Sequence, residues 1–75
     1  MKSIKISLAM SQKVKEFVNI TQNYSYEILL KSGRYVVDAK SILGIYSLDL
    51  ANPVTVEVYS EDCDDLMELL KKFEA

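Results

Sequence analysis

Seventy-five residues with a net charge of −2, no histidine, no tryptophan and one cysteine describe a chain near the lower size limit for folding without disulfides or metal. The lone Cys63 excludes an internal disulfide framework and fits a reducing, cytoplasmic compartment, and no apolar run approaches the ~20 residues of a membrane span or the core of a signal peptide. The slight negative charge gives no electrostatic basis for binding nucleic acid, and the missing histidine removes the commonest general base and metal ligand.

Residues 2–8 alternate, with Ile4, Ile6 and Leu8 on one face and Ser3, Lys5 and Ser7 on the other, the pattern of a half-buried strand. Ser11 reads as a helix N-cap. Behind it Val14, Phe17, Val18 and Thr21 recur at helical spacing, and the helix is expected to end near Asn23. Period two returns over residues 24–31, with Tyr26, Ile28 and Leu30 facing one way. Ser32-Gly33 is a tight-turn pair, and Arg34 to Val37 is the returning strand of a hairpin. Asn52-Pro53 stops the next segment, because proline disfavours the α conformation in the residue before it. Val54, Val56 and Val58 then alternate with Thr55, Glu57 and Tyr59. A final helix opens at Ser60-Glu61-Asp62 and carries a stripe of Leu66, Leu69, Leu70 and Phe73, with Lys71 and Lys72 in its last turn complementing the helix dipole.

The order is strand, helix, strand, strand, short helix, strand, helix. Strands with one apolar face predict a four-stranded antiparallel sheet covered on one side by the amphipathic helices. The fold class is α+β, an open-faced two-layer sandwich formed by residues 1–75 as one domain. Strand order does not follow from the pattern, and a ferredoxin-like arrangement is compatible with it.

The stretch Asp38-Ala39-Lys40-Ser41-Ile42-Leu43-Gly44-Ile45-Tyr46-Ser47-Leu48 does not fit a helix with one buried face. At about 100° per residue, Ile42, Leu43, Ile45, Tyr46 and Leu48 spread around most of the helix. Two turns cannot hide all of them against one core, so part of this apolar surface is expected to face solvent. Ser41 at its start is a natural N-cap.

Lys40-Ser41-Ile42-Leu43-Gly44-Ile45-Tyr46-Ser47-Leu48 resembles the second-helix segment Lys-Ser-Ile-Met-Gly-Val-Met-Ser-Leu of HPr, the histidine-containing phosphocarrier protein of the bacterial sugar phosphotransferase system. The element order is similar to that family's along the whole chain. The resemblance implies Ser41 as a regulatory phosphorylation site for an HPr-type kinase, and Ile42, Leu43 and Tyr46 as a docking surface for phosphotransferase-system components. The family's histidine stands in a Gly-Ile-His-Ala-Arg-Pro-like loop before the first helix. Here that loop reads Leu8-Ala9-Met10-Ser11-Gln12-Lys13, with Met10 at the histidine's place. A thioether cannot form or transfer a phosphoramidate, and the arginine and proline are replaced by Gln12 and Lys13.

Other groups read as ordinary structure. Glu61, Asp62, Asp64 and Asp65 lack the glycine and terminal glutamate of a calcium loop and suit a first helical turn, so no metal is expected. Cys63 stands three residues before Leu66 and reads as buried packing. Tyr24, Tyr26, Tyr35 and Tyr59 are good strand residues with no basic surface beside them for base stacking. The expectation is a non-catalytic, protein-binding or regulatory relative of HPr that needs no cofactor. Two alternatives stand beside it: a phosphocarrier with another acceptor, Ser11 being nearest, although no base adjoins it, and a binding module unrelated to sugar uptake.

Overall fold

The alternating valines of Val54–Val58 form the strand around which the sheet is built. In the computed structural model, which describes residues 1–75, the elements are β1 (Lys2–Ile6), α1 (Ser11–Thr21), β2 (Ile28–Ser32), β3 (Tyr35–Asp38), α2 (Ile42–Tyr46), β4 (Val54–Val58) and α3 (Asp64–Leu70), the last continued by a 3-10 turn over Lys71–Phe73. Strand order is β1-β4-β2-β3, and every pairing is antiparallel. Val56 lies between Ile4 of β1 and Leu30 of β2. The strand order that the pattern left open is thereby settled.

Period two puts Ile6, Ile28, Leu30, Val54, Val56 and Val58 on one face, all fully or nearly fully buried. Val14, Phe17 and Val18 of α1 cover that face together with Leu66 and Leu70 of α3 and Phe73. Phe17 and Phe73 meet edge to face with ring centroids 5.9 Å apart, a favoured aromatic geometry. On the uncovered face Lys31 pairs with Glu57 at 3.1 Å. The four-stranded antiparallel sheet covered on one side is the α+β open sandwich expected from the alternation.

Several local expectations are corrected. The N-cap of α1 is Met10, without a side-chain hydrogen bond, and Ser11 is already helical. The Met10 carbonyl accepts from Lys13 and Val14, so the packing register of Val14 and Phe17 sets the helix start ahead of serine's capping preference. The same helix ends at Thr21, two residues short of Asn23. Tyr24 and Tyr26 precede β2, which begins at Ile28, where pairing with Val58 begins. The last helix begins at Asp64, not at Ser60, because Ser60 Oγ takes the Asp62 N–H at 3.2 Å and forms a turn first. Leu69 is 45% exposed. Leu66, Leu70 and the half-buried Met67 define the inward side of α3 and leave Leu69 on its rim. Lys71 and Lys72 lie in the 3-10 turn after α3.

The hairpin is a two-residue turn with Ser32 opposite Tyr35. Gly33 alone has positive φ, +59°, as the first central position of a type II′ turn requires.

Candidate functional site

Turn chemistry places α2. Asp38 Oδ1 accepts the Lys40 N–H at 2.8 Å and the Asp38 carbonyl accepts the Ser41 N–H at 3.0 Å, which reverses the chain at the end of β3. The end of α1 holds the reversal from the other side, since Thr21 Oγ1 donates to the Ala39 carbonyl at 3.0 Å. Ser41 then caps α2, its Oγ accepting the Gly44 N–H at 3.1 Å. A Cβ at Gly44 would stand 3.3 Å from Ser41 Oγ and 3.4 Å from Val37 Cβ, so glycine lets the short helix lie close on β3.

With α2 fixed there, its side chains divide as their angular spread required. Ile45 and Leu48 enter the core, whereas Ile42, Leu43 and Tyr46 are exposed, Leu43 by 82%. Ser41 is half-buried at the edge of this surface. Lys40 directs its ammonium to the Tyr26 carbonyl at 2.8 Å.

The second locus is the start of α1. A cleft of about 290 Å³ is lined by Ser7, Ala9, Met10, Lys13, Lys72, Phe73 and Glu74. Met10 at its mouth is 59% exposed. Lys13 and Lys72 flank the Phe73 ring, with ammonium nitrogens 5.6 and 5.3 Å from its centroid, within cation–π range. Lys72 also donates to Glu16 at 3.0 Å, and that hydrogen bond holds the Glu16 carboxyl below its usual range. The cleft and its aromatic floor were not foreseen, because Phe73 and Met10 lie far apart in sequence and meet only through the sheet. No histidine exists in the chain, and neither Ser7, which lines the cleft, nor Ser11 at the start of α1 has a basic side chain hydrogen-bonded to it.

The acidic run does not converge. Asp64 binds Lys2 at 2.6 Å and Asp65 accepts from the Tyr24 hydroxyl at 3.0 Å, so these carboxylates serve the helix start and its neighbours. Cys63 is fully buried.

A family model described as the PTS HPr component phosphorylation site matches residues 11–75. The chain belongs to the HPr family of phosphotransferase-system phosphocarriers. The HPr match begins just after Met10, where α1 itself begins. Among solved structures the chain is similar to HPr-C-His from Thermoanaerobacter tengcongensis, with 25% identity, 96% of this chain and 89% of that chain covered, and a TM-score of 0.81. It is also similar to the phosphocarrier protein HPr from Bacillus anthracis str. Ames, with 25% identity, coverage of 99% and 94%, and a TM-score of 0.73. Comparison with curated protein sequences gave no match. As an HPr-family chain without histidine, this one has a thioether at the head of α1 and a second helix capped by Ser41. No helix is long and apolar enough to cross a membrane.

Proposed function

We propose that this HPr-family chain works by binding protein partners, phosphotransferase-system components among them, and not by carrying phosphate on a side chain at the head of α1. The docking surface in this reading is Ile42, Leu43 and Tyr46, and Ser41 is a regulatory phosphosite for an HPr-type kinase. The observation that carries the reading is the solvent exposure of these three apolar side chains on a helix whose other apolar residues, Ile45 and Leu48, are buried. Leaving such side chains in water has no packing rationale, and clustered exposed apolar groups mark interaction surfaces. A phosphate on Ser41 would add close to two negative charges beside that patch, disfavouring an apolar partner while remaining near the Gly44 N–H. The buried free thiol of Cys63 supports a cytoplasmic setting for these partners.

The test combines labelling with binding. Incubation with enzyme I and labelled phosphoenolpyruvate leaves the protein unlabelled, whereas an HPr-type kinase labels the wild type and not Ser41→Ala. In a pull-down from the source cells, the double variant Leu43→Ala/Tyr46→Ala loses the partners that the wild type retains and keeps its thermal midpoint within a few degrees. Label from enzyme I on Ser11 or another residue would refute the reading. Unchanged capture by the folded double variant would remove the docking patch.

A further inference from the structure

The two edges of the sheet differ in a way that the docking surface on α2 does not explain. The β1 edge is protected. It carries Lys2 and Lys5, and the end of the chain lies along it, with Ser7 N–H to Phe73 carbonyl at 2.8 Å, Ala75 N–H to Lys5 carbonyl at 3.1 Å and a bridge between Ile6 and Glu74. Charged side chains and covering segments are the usual devices that stop edge pairing. β3 lacks them apart from the charge of Asp38 at its very end. No lysine, proline or bulge interrupts Tyr35–Asp38, and Tyr35 and Val36 are 70% and 51% exposed.

The parity of the ladder identifies which backbone groups are free. Ser32 faces Tyr35 across the turn and the Ala39 N–H bonds to the Ile28 carbonyl at 2.9 Å. Tyr35, Val37 and Ala39 therefore turn their amide groups inward to β2, and Val36 turns its N–H and carbonyl to the open edge. The segment Arg34-Tyr35-Val36-Val37-Asp38 is also self-complementary when reversed. Pairing it antiparallel with itself about Val36 sets Val36 opposite Val36, Tyr35 opposite Val37 and Arg34 opposite Asp38. Neither Arg34 nor Asp38 takes part in any ion pair within the chain.

We propose that β3 is a homodimerisation edge, pairing antiparallel with β3 of a second copy about Val36 to make a continuous eight-stranded sheet. The contact is isologous. The two Val36 residues exchange their N–H···O=C bonds, and two Arg34–Asp38 pairs close its ends. Tyr35 of each copy lies against Val37 of the other on the helix-covered side, where Val37 already packs on the core. The second copy is favoured over an unrelated strand because the charge order along the edge complements itself. So short an interface makes a transient dimer.

The experiment is a concentration series of the wild-type chain up to the order of 1 mM, followed by sedimentation equilibrium and by amide chemical shifts. The expected result is reversible dimerisation, with the Val36 amide among the most concentration-dependent shifts. Arg34→Glu sets like charges opposite each other and weakens association at least about tenfold. Val36→Pro removes an N–H that the monomer does not use and abolishes association. Should Val36→Pro fail to fold, Arg34→Glu together with the wild-type Val36 shift decides the matter. A wild type that stays monomeric throughout overturns the proposal. So does a dimer indifferent to Arg34→Glu whose shifts map to β1 or α2.

Discussion

Thr21, the last residue of α1, hydrogen-bonds the Ala39 carbonyl from across the molecule at 3.0 Å, and both residues are fully buried. This contact joins the end of one helix to the turn that launches the next. Replacing Thr21 with valine keeps the shape and leaves a buried carbonyl without that partner, at a cost of about 1–3 kcal/mol. Urea unfolding of Thr21→Val is expected to show a lower midpoint with unchanged slope. An unchanged midpoint would mean that another donor replaces the hydroxyl.

Ser41 combines a cap with the proposed phosphosite, and two substitutions separate the roles. Ser41→Ala loses both and destabilises by about 1 kcal/mol. Ser41→Asn retains a capping oxygen and its stability stays close to wild type, while kinase labelling is lost. Equal stability of the two variants, measured by denaturant titration, would show that the bond to Gly44 contributes nothing.

Tyr26 places its hydroxyl in a buried position without a hydrogen-bond partner. Burial, with the charge of Asp65 next, pushes its ionisation up to about 12. Tyr26→Phe removes an unpaired polar group and is expected to be neutral or stabilising by about 1 kcal/mol. The sign at alkaline pH follows from the same shift. The neutral hydroxyl is favoured in the folded state, so stability is intact below the ordinary value of 10.0 and falls as pH rises from there towards about 12. The Phe variant loses less stability over that interval, as an alkaline titration followed by circular dichroism would register.

In acid the sign reverses. The hydrogen bond from Lys2 lowers Asp64 from its ordinary 3.8, that from Lys72 lowers Glu16 from 4.5, and those from Tyr59 and then Lys31 lower Glu57 from 4.5. A lowered carboxylate stabilises the folded state above the unfolded value and ceases to do so as pH falls through the folded one. Stability should decline from about pH 4.5 downward, modestly because the Lys2–Asp64 and Lys72–Glu16 pairs are exposed and screened. Denaturant midpoints at pH 7 and pH 3 measure the decline, and Asp64→Asn combined with Glu16→Gln should flatten it. An equal decline in that double variant would place the acid sensitivity elsewhere.

The sheet was legible because period two is local. Ile28 and Leu30 announce a buried face whatever they pack against, and so do the three valines of β4. The exposure of Ile42, Leu43 and Tyr46 was legible for a related reason, because no rotation of a two-turn helix hides them together with Ile45 and Leu48. Element ends were less so. Ser11 has a capping side chain, yet the Met10 carbonyl closes the first turn of α1, since the helix start follows from where Val14 and Phe17 meet the sheet. Leu69 fits the spacing of a stripe, but Met67 takes the inward position and rotates α3. Strand order had no local signature, and the cleft behind Met10 needs Phe73 from the other end of the chain.

Cys63, the chain's single thiol, has no accessible surface and donates to the Ser60 carbonyl at 3.4 Å. A thiol-modifying reagent therefore cannot reach it in the closed state, and no other sulfhydryl competes for the reagent. Its rate of modification counts how often the core around α3 opens, so each variant above carries its own clock for native-state breathing.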